Sequence, residues 1–126
     1  MRKAAAREIP PPLELVCLNA LWSLEQGSVR EVLQLINQNR TLAYTTVMTM
    51  LDRLVRRKVA TRRKTGRFYI YAPTISRNDM RRIALQEFLD SYFESSREQL
   101  LQFLEAEPRP AERESRLVTS IDTVLL

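Results

Sequence analysis

Three threonines within five residues, Thr45, Thr46 and Thr49, stand just ahead of the most cationic stretch of the chain. Threonine is a mediocre helix former and fills little core volume, so one such residue is ordinary and three together call for a reason. Near a helix start, their hydroxyls can meet phosphates or base edges and their methyl groups can meet thymine. From Arg53 to Arg67 there follow eight basic residues (Arg53, Arg56, Arg57, Lys58, Arg62, Arg63, Lys64 and Arg67) and no acid. Such a block recruits a polyanion by charge alone. From Glu87 to Glu114 the balance reverses, with eight acids against Arg97, Arg109 and Arg113. That stretch would repel a polyanion, so the two halves are read as having different tasks.

Other chemistries lack their parts. The chain has no histidine and one cysteine, Cys17, which removes an internal disulfide, the Cys/His zinc sites and the Cys-His and Ser-His nucleophiles. Its two glycines, Gly27 and Gly66, cannot build a glycine-rich phosphate loop. No enzyme, metal or cofactor is therefore expected. No apolar run approaches the roughly 18 to 20 residues that cross a bilayer, and Met1 to Ala4 leads into prolines instead of a signal-peptide core. A cytoplasmic protein without membrane insertion is expected. At 126 residues, 44% hydrophobic and 28% charged, with a net charge of +5, the chain suits one compact unit plus an appendage.

The elements that must position these residues follow from periodicity and caps. Pro10, Pro11 and Pro12 close an N-terminal arm (1–12), and the last of them suits a first helical turn. Val16, Cys17, Ala20, Leu21 and Leu24, widened by Leu18 and Trp22, predict helix one from Leu13 to about Glu25, with Gly27 as its stop. Cys17 on that stripe is read as a small core residue, and Trp22 as packing. Ser28 and Glu31 have capping-box spacing and open helix two, which runs to about Asn39. Helix three, about Tyr44 to Arg57, turns Val47, Met50, Leu51 and Leu54 inward. Thr45, Thr46, Met48, Thr49, Asp52 and Arg53 then point outward, although Met48, like Met50, also suits packing. Two short strands around Thr65-Gly66 form a hairpin.

Three helices and a basic-tipped hairpin are the plan of a winged helix-turn-helix, here residues 13–74. The fold class is mainly α with a small β-hairpin wing. Candidate DNA contacts are Tyr44, Thr45, Thr46, Met48, Thr49 and Arg53 on helix three, Arg62, Arg63 and Lys64 as phosphate clamps, and Gly66 with Arg67 at the wing. Residues 75–126 are expected to form a helical dimerisation region. Ser76 to Asp79 offers a capping start, Ile83, Ala84, Phe88, Tyr92 and Phe93 form a stripe, and Leu100, Leu101, Phe103 and Leu104 form a second cluster. After Pro108 and Pro110, Leu117, Val118, Ile121, Val124 and Leu125 make an apolar face on a segment too short to shield it. A homodimer is the expected partner arrangement, through Ile83, Phe88, Tyr92, Leu100, Leu101, Leu104, Leu117, Val118, Ile121 and Leu125. The competing reading is a winged-helix protein-interaction module that binds an acidic protein and no DNA.

The run Leu42-Ala43-Tyr44-Thr45-Thr46-Val47-Met48-Thr49-Met50-Leu51-Asp52-Arg53-Leu54, followed by Gly66-Arg67-Phe68-Tyr69-Ile70-Tyr71-Ala72-Pro73, resembles the penicillinase repressor and methicillin-resistance regulator family. The likeness spans Leu13 to about Leu104, with Trp22, Ser28 to Val32 and Leu100 to Glu105 as supporting pieces. It implies a dimer of winged helices on a dyad-symmetric, double-stranded operator, repressing transcription by occlusion, in regulation of antibiotic resistance. It also implies a membrane-bound sensor peptidase that triggers cleavage in the rear helices at an Asn-Phe bond. The matching pair here is Gln102-Phe103, with glutamine in place of asparagine. The copper-responsive branch carries a cysteine-rich tail that this chain lacks, which disfavours copper sensing. Ala43 stands where relatives often have a serine cap, leaving Thr41 or no cap at the start of helix three.

Overall fold

The structure is a computed structural model that describes residues 9–109. The apolar segment from Leu117 to Leu125, with its dimerisation residues Leu117, Val118, Ile121 and Leu125, lies outside the described residues, as do the first eight residues of the arm. The element order is α1 (Pro12–Leu24), α2 (Val29–Ile36), α3 (Tyr44–Arg56), β1 (Ala60–Thr65), β2 (Phe68–Pro73), α4 (Arg77–Tyr92) and α5 (Arg97–Ala106). The chain divides into two compact units after Leu85.

Local chemistry explains most boundaries. Pro12 occupies the first turn of α1, where its missing N–H is no loss. The left-handed residue that ends α1 is Glu25 (φ 73°), whose N–H reaches the carbonyl of Leu21. Gly27, expected as the stop, instead forms an antiparallel bridge with Tyr71: each N–H donates to the other's carbonyl, at 2.9 and 2.8 Å. The predicted capping box is present, with Ser28 Oγ accepting from Glu31 N–H and Glu31 Oε1 accepting from Ser28 N–H. α2 ends at Ile36, short of Asn39. The Asn37 side chain then holds the following loop by accepting from Leu42 N–H (2.9 Å) and donating to the Leu42 carbonyl (3.4 Å). Ala43 opens α3 with no side-chain cap, so Thr41 does not substitute for a serine there.

The front unit is a three-helix core closed by the root of the hairpin. Cys17, Leu18 and Leu21 of α1, Val32 of α2, and Val47, Leu51 and Leu54 of α3 are fully buried, joined by Val59, Tyr71, Ile75 and Met80. Trp22 packs at the edge of this core, its Nε1 donating to the Ile75 carbonyl at 2.8 Å. Glu14 is almost fully buried, and Arg57 Nε donates to its Oε1 at 2.6 Å. Without that partner the carboxylate would sit unneutralised in an apolar setting. Burial, reinforced by Glu14, pushes the Cys17 thiol up to about 11. It stays protonated and serves as packing. The compact unit runs on to Leu85 because Met80 belongs to this core and Ile83 packs against it.

In the rear unit, Glu94 and Ser95 take positive φ between the end of α4 and the start of α5. The carboxylate of Asp90 accepts from Ser95 Oγ and Gln86 Nε2, which holds its pKa below the ordinary carboxylate value. Ser96 caps α5 through Gln99 N–H. Phe93 meets Phe88 and Phe103 edge-on at 5.4 and 5.6 Å between ring centres. Leu89, absent from the predicted stripe, is the buried apolar residue among the described part of this unit. α5 buries no side chain.

Candidate nucleic-acid interface

α3 carries two stripes with opposite roles. Val47, Met50, Leu51 and Leu54 recur at helical spacing and are buried, which fixes the rotation of the helix and turns its other stripe away from the core. On that outward stripe Thr45, Thr49 and Arg53 are exposed, Tyr44 is 44% and Met48 37% exposed, and Thr46 is half-buried. None of the three threonine hydroxyls has a side-chain partner among the described residues, so each is free to bond an incoming polar group.

The hairpin follows from a two-residue loop. Thr65 pairs with Phe68, leaving Gly66 and Arg67 at the tip. Gly66 has φ 64° and Arg67 does not share it, the φ pattern of a type II′ turn, which needs glycine first. Alternation along the strands places Arg62, Lys64, Tyr69 and Tyr71 on one face and Arg63, Thr65, Phe68 and Ile70 on the other.

A polar network ties that hairpin to α3. Tyr71 is 1% exposed, yet its hydroxyl donates to Asp52 Oδ1 at 2.7 Å. Arg62 donates to the same oxygen at 3.0 Å and lies over the Tyr69 ring, 4.3 Å from its centre. Burial, with the acceptor Asp52 adding to it, pushes the Tyr71 phenol up to about 12, so the hydroxyl keeps its proton and remains a donor. Arg62 is likewise held above its ordinary value, mainly by the neighbouring Tyr71 hydroxyl and by Asp52.

The cationic block therefore separates into two groups. Arg57 is committed to Glu14, Arg62 to Asp52, and Arg63 donates to Gln26 Oε1 at 3.2 Å. Arg53, Arg56, Lys58, Lys64 and Arg67 have no ion-pair or hydrogen-bond partner of their side chains among the described residues. The free cations are thus distributed along α3, its C-terminal end and the hairpin. The residue pattern alone makes Arg62, Arg63 and Lys64 equivalent clamps; the contact of Tyr71 and Arg62 with Asp52, between residues distant in sequence, is not visible in it. Strand alternation was the available signal, since it puts Arg62, Tyr69 and Tyr71 on one side.

The predicted rear residues are placed differently from one another. Ile83 packs on the front core, Leu100 is half-buried, and Phe88, Tyr92, Leu101 and Leu104 are exposed by 44, 74, 58 and 58%. Gln102 and Phe103 lie adjacent and exposed on α5. No helix among the described residues is long and apolar enough to cross a membrane.

Comparison with known proteins gives this geometry a family. A 69-residue segment, 54% of this chain, is 38% identical to the transcriptional regulator BlaI of Mycobacterium tuberculosis and spans half of that relative's length. The penicillinase repressor of Bacillus licheniformis is 27% identical over 93 residues, 73% of each chain. Among solved structures, the DNA binding domain of the repressor BlaI is 28% identical with a TM-score of 0.50, covering 57% of this chain and 90% of that one. The hsRosR-S4 complex, 16% identical with a TM-score of 0.56, covers 98% of this chain and all of that one, and shares the fold. The family model for the penicillinase repressor matches residues 11–123, nearly the whole chain, and the protein accordingly belongs to the penicillinase repressor family.

Proposed function

We propose that this protein is a transcriptional repressor that binds a dyad-symmetric, double-stranded operator as a homodimer, with α3 in the major groove and the hairpin beside it. The observation that carries this reading is the outward stripe of α3, where unpartnered threonine hydroxyls and Arg53 stand beside a hairpin with free cations at Lys64 and Arg67. Small hydroxyl and methyl groups can approach base edges closely, while the cations supply the sequence-independent hold on phosphates. The relatives named as a repressor or transcriptional regulator support the same reading. Pairing is assigned to the rear unit, whose exposed Phe88, Tyr92, Leu101 and Leu104 need a cover that their own helices do not supply. Relief of repression is assigned to a sensor peptidase cutting at Gln102-Phe103. Cleavage within a helix needs local unwinding, which costs least where few side chains are buried, as in α5.

Titration of the full chain with DNA from upstream of its own gene, at salt between about 50 and 200 mM, tests the reading. Affinity should fall with a log-log slope of about −0.9 per phosphate contacted, and footprinting should protect a dyad. A flat salt response without protection would overturn it in favour of a protein-interaction module.

A further inference from the structure

Between the first turn of α2, the outward stripe of α3 and the hairpin lies a cleft of about 500 Å³, within the roughly 300 to 1,000 Å³ typical of small-molecule sites. Its walls are largely apolar, formed by Val29, Tyr44, Met48, Phe68, Tyr69 and Ile70. Phe68 is 65% exposed, so aromatic surface is left in water that an occupant would cover. The charges on the rim are unequally engaged. Glu31 is occupied by the Ser28 N–H, and Asp52 by Tyr71 and Arg62. Arg30 and Arg67 line the same cleft, and neither side chain has a partner among the described residues.

What this site leaves unsatisfied is flat apolar surface together with positive charge. Its complement is an aromatic organic anion: one or two rings for the walls, and a carboxylate or sulfonate for the two arginines. We propose that the cleft binds such an anion. Since Tyr44, Met48 and Arg67 line the cleft and are also candidate DNA contacts, the anion and the duplex compete. This competition rests on the operator reading above, whereas occupancy of the cleft does not.

The probe is 1-anilinonaphthalene-8-sulfonate, titrated into the full chain and followed by its fluorescence, first without DNA. The exposed rear aromatics offer it a second apolar surface, so Phe68→Ser is compared with Phe103→Ser. Phe68 sits at the hairpin tip outside the core, and unchanged thermal melting checks that its variant folds. Phe68→Ser should weaken the probe about tenfold, the scale of losing most of a buried aromatic contact, and Phe103→Ser should leave that phase in place. Arg30→Gln should weaken the sulfonate by about threefold or more and leave the uncharged parent, N-phenyl-1-naphthylamine, unaffected. Duplex should then displace the probe. Equal probe binding by Phe68→Ser and the unaltered chain would overturn the proposal, as would probe and duplex bound together without mutual loss. A chain that takes the probe through Phe68 and binds no duplex would support the cleft and overturn the operator reading instead.

Discussion

α3 and α5 are both amphipathic helices, of 13 and 10 residues, yet they solve their apolar stripes in opposite ways. α3 buries Val47, Met50, Leu51 and Leu54 against its own chain and turns hydroxyls and cations to solvent. α5 buries nothing and leaves Leu101, Phe103 and Leu104 about half exposed. The difference identifies the kind of partner each face suits. A helix whose apolar demand is met internally has a polar face to give to a polar ligand; a helix whose demand is unmet seeks another apolar surface.

The sharpest way to break this comparison is to remove a buried residue from α3. Leu51→Ala should cost the front unit about 2 to 5 kcal/mol, because Leu51 is fully buried. Urea unfolding measures this, and a loss below 1 kcal/mol, far under that range, would show that the core does not rely on the α3 stripe. In the rear, on the dimer proposed above, the matching change would act between chains. Leu101→Asp with Leu104→Asp should convert dimers to monomers in sedimentation and leave the front unit's urea midpoint unchanged. An intact dimer would move the pairing surface elsewhere.

On the outward stripe the effects are smaller and concern recognition. Thr49→Ala should lower discrimination between operator and random DNA by about 1 to 3 kcal/mol. Equal losses on both DNAs would exclude base reading by Thr49. The two classes of cation give the finest contrast. Arg57→Ala should destabilise the fold by about 1 to 3 kcal/mol, because buried Glu14 loses its partner, and should leave the salt slope of DNA binding alone. Arg67→Ala should leave stability alone and flatten that slope by about 0.9. Exchange of these two outcomes would reverse the division between committed and free arginines.

Much of this was legible in the residues because it is encoded locally. Ser28 and Glu31 are three apart and cap one helix; Gly66 is the residue that a tight hairpin tip requires; the stripe from Val47 to Leu54 orients α3 without reference to the rest of the chain. What escaped depends on residues far apart in sequence. The Glu14–Arg57 pair spans 43 positions, and Tyr71 reaches Asp52 across 19. Periodicity registers apolar positions, so it passed over a buried carboxylate on α1. It also gave Gly27 the commonest role of a glycine after a helix, whereas its backbone pairs with that of Tyr71. Ile83 fitted a dimer stripe by spacing alone, and spacing does not say whether the surface it covers belongs to its own chain.

Tyr71 is held at three points: its N–H and carbonyl by Gly27, and its hydroxyl by Asp52. Toward the tip, from Lys64 to Phe68, the strands keep their mutual ladder and no anchoring of this kind. The hairpin is thus built as a cantilever, fixed at its root with its tip projecting. Its heading is set by the core to which Tyr71 is tied, and Arg67 stands at the end away from those anchors.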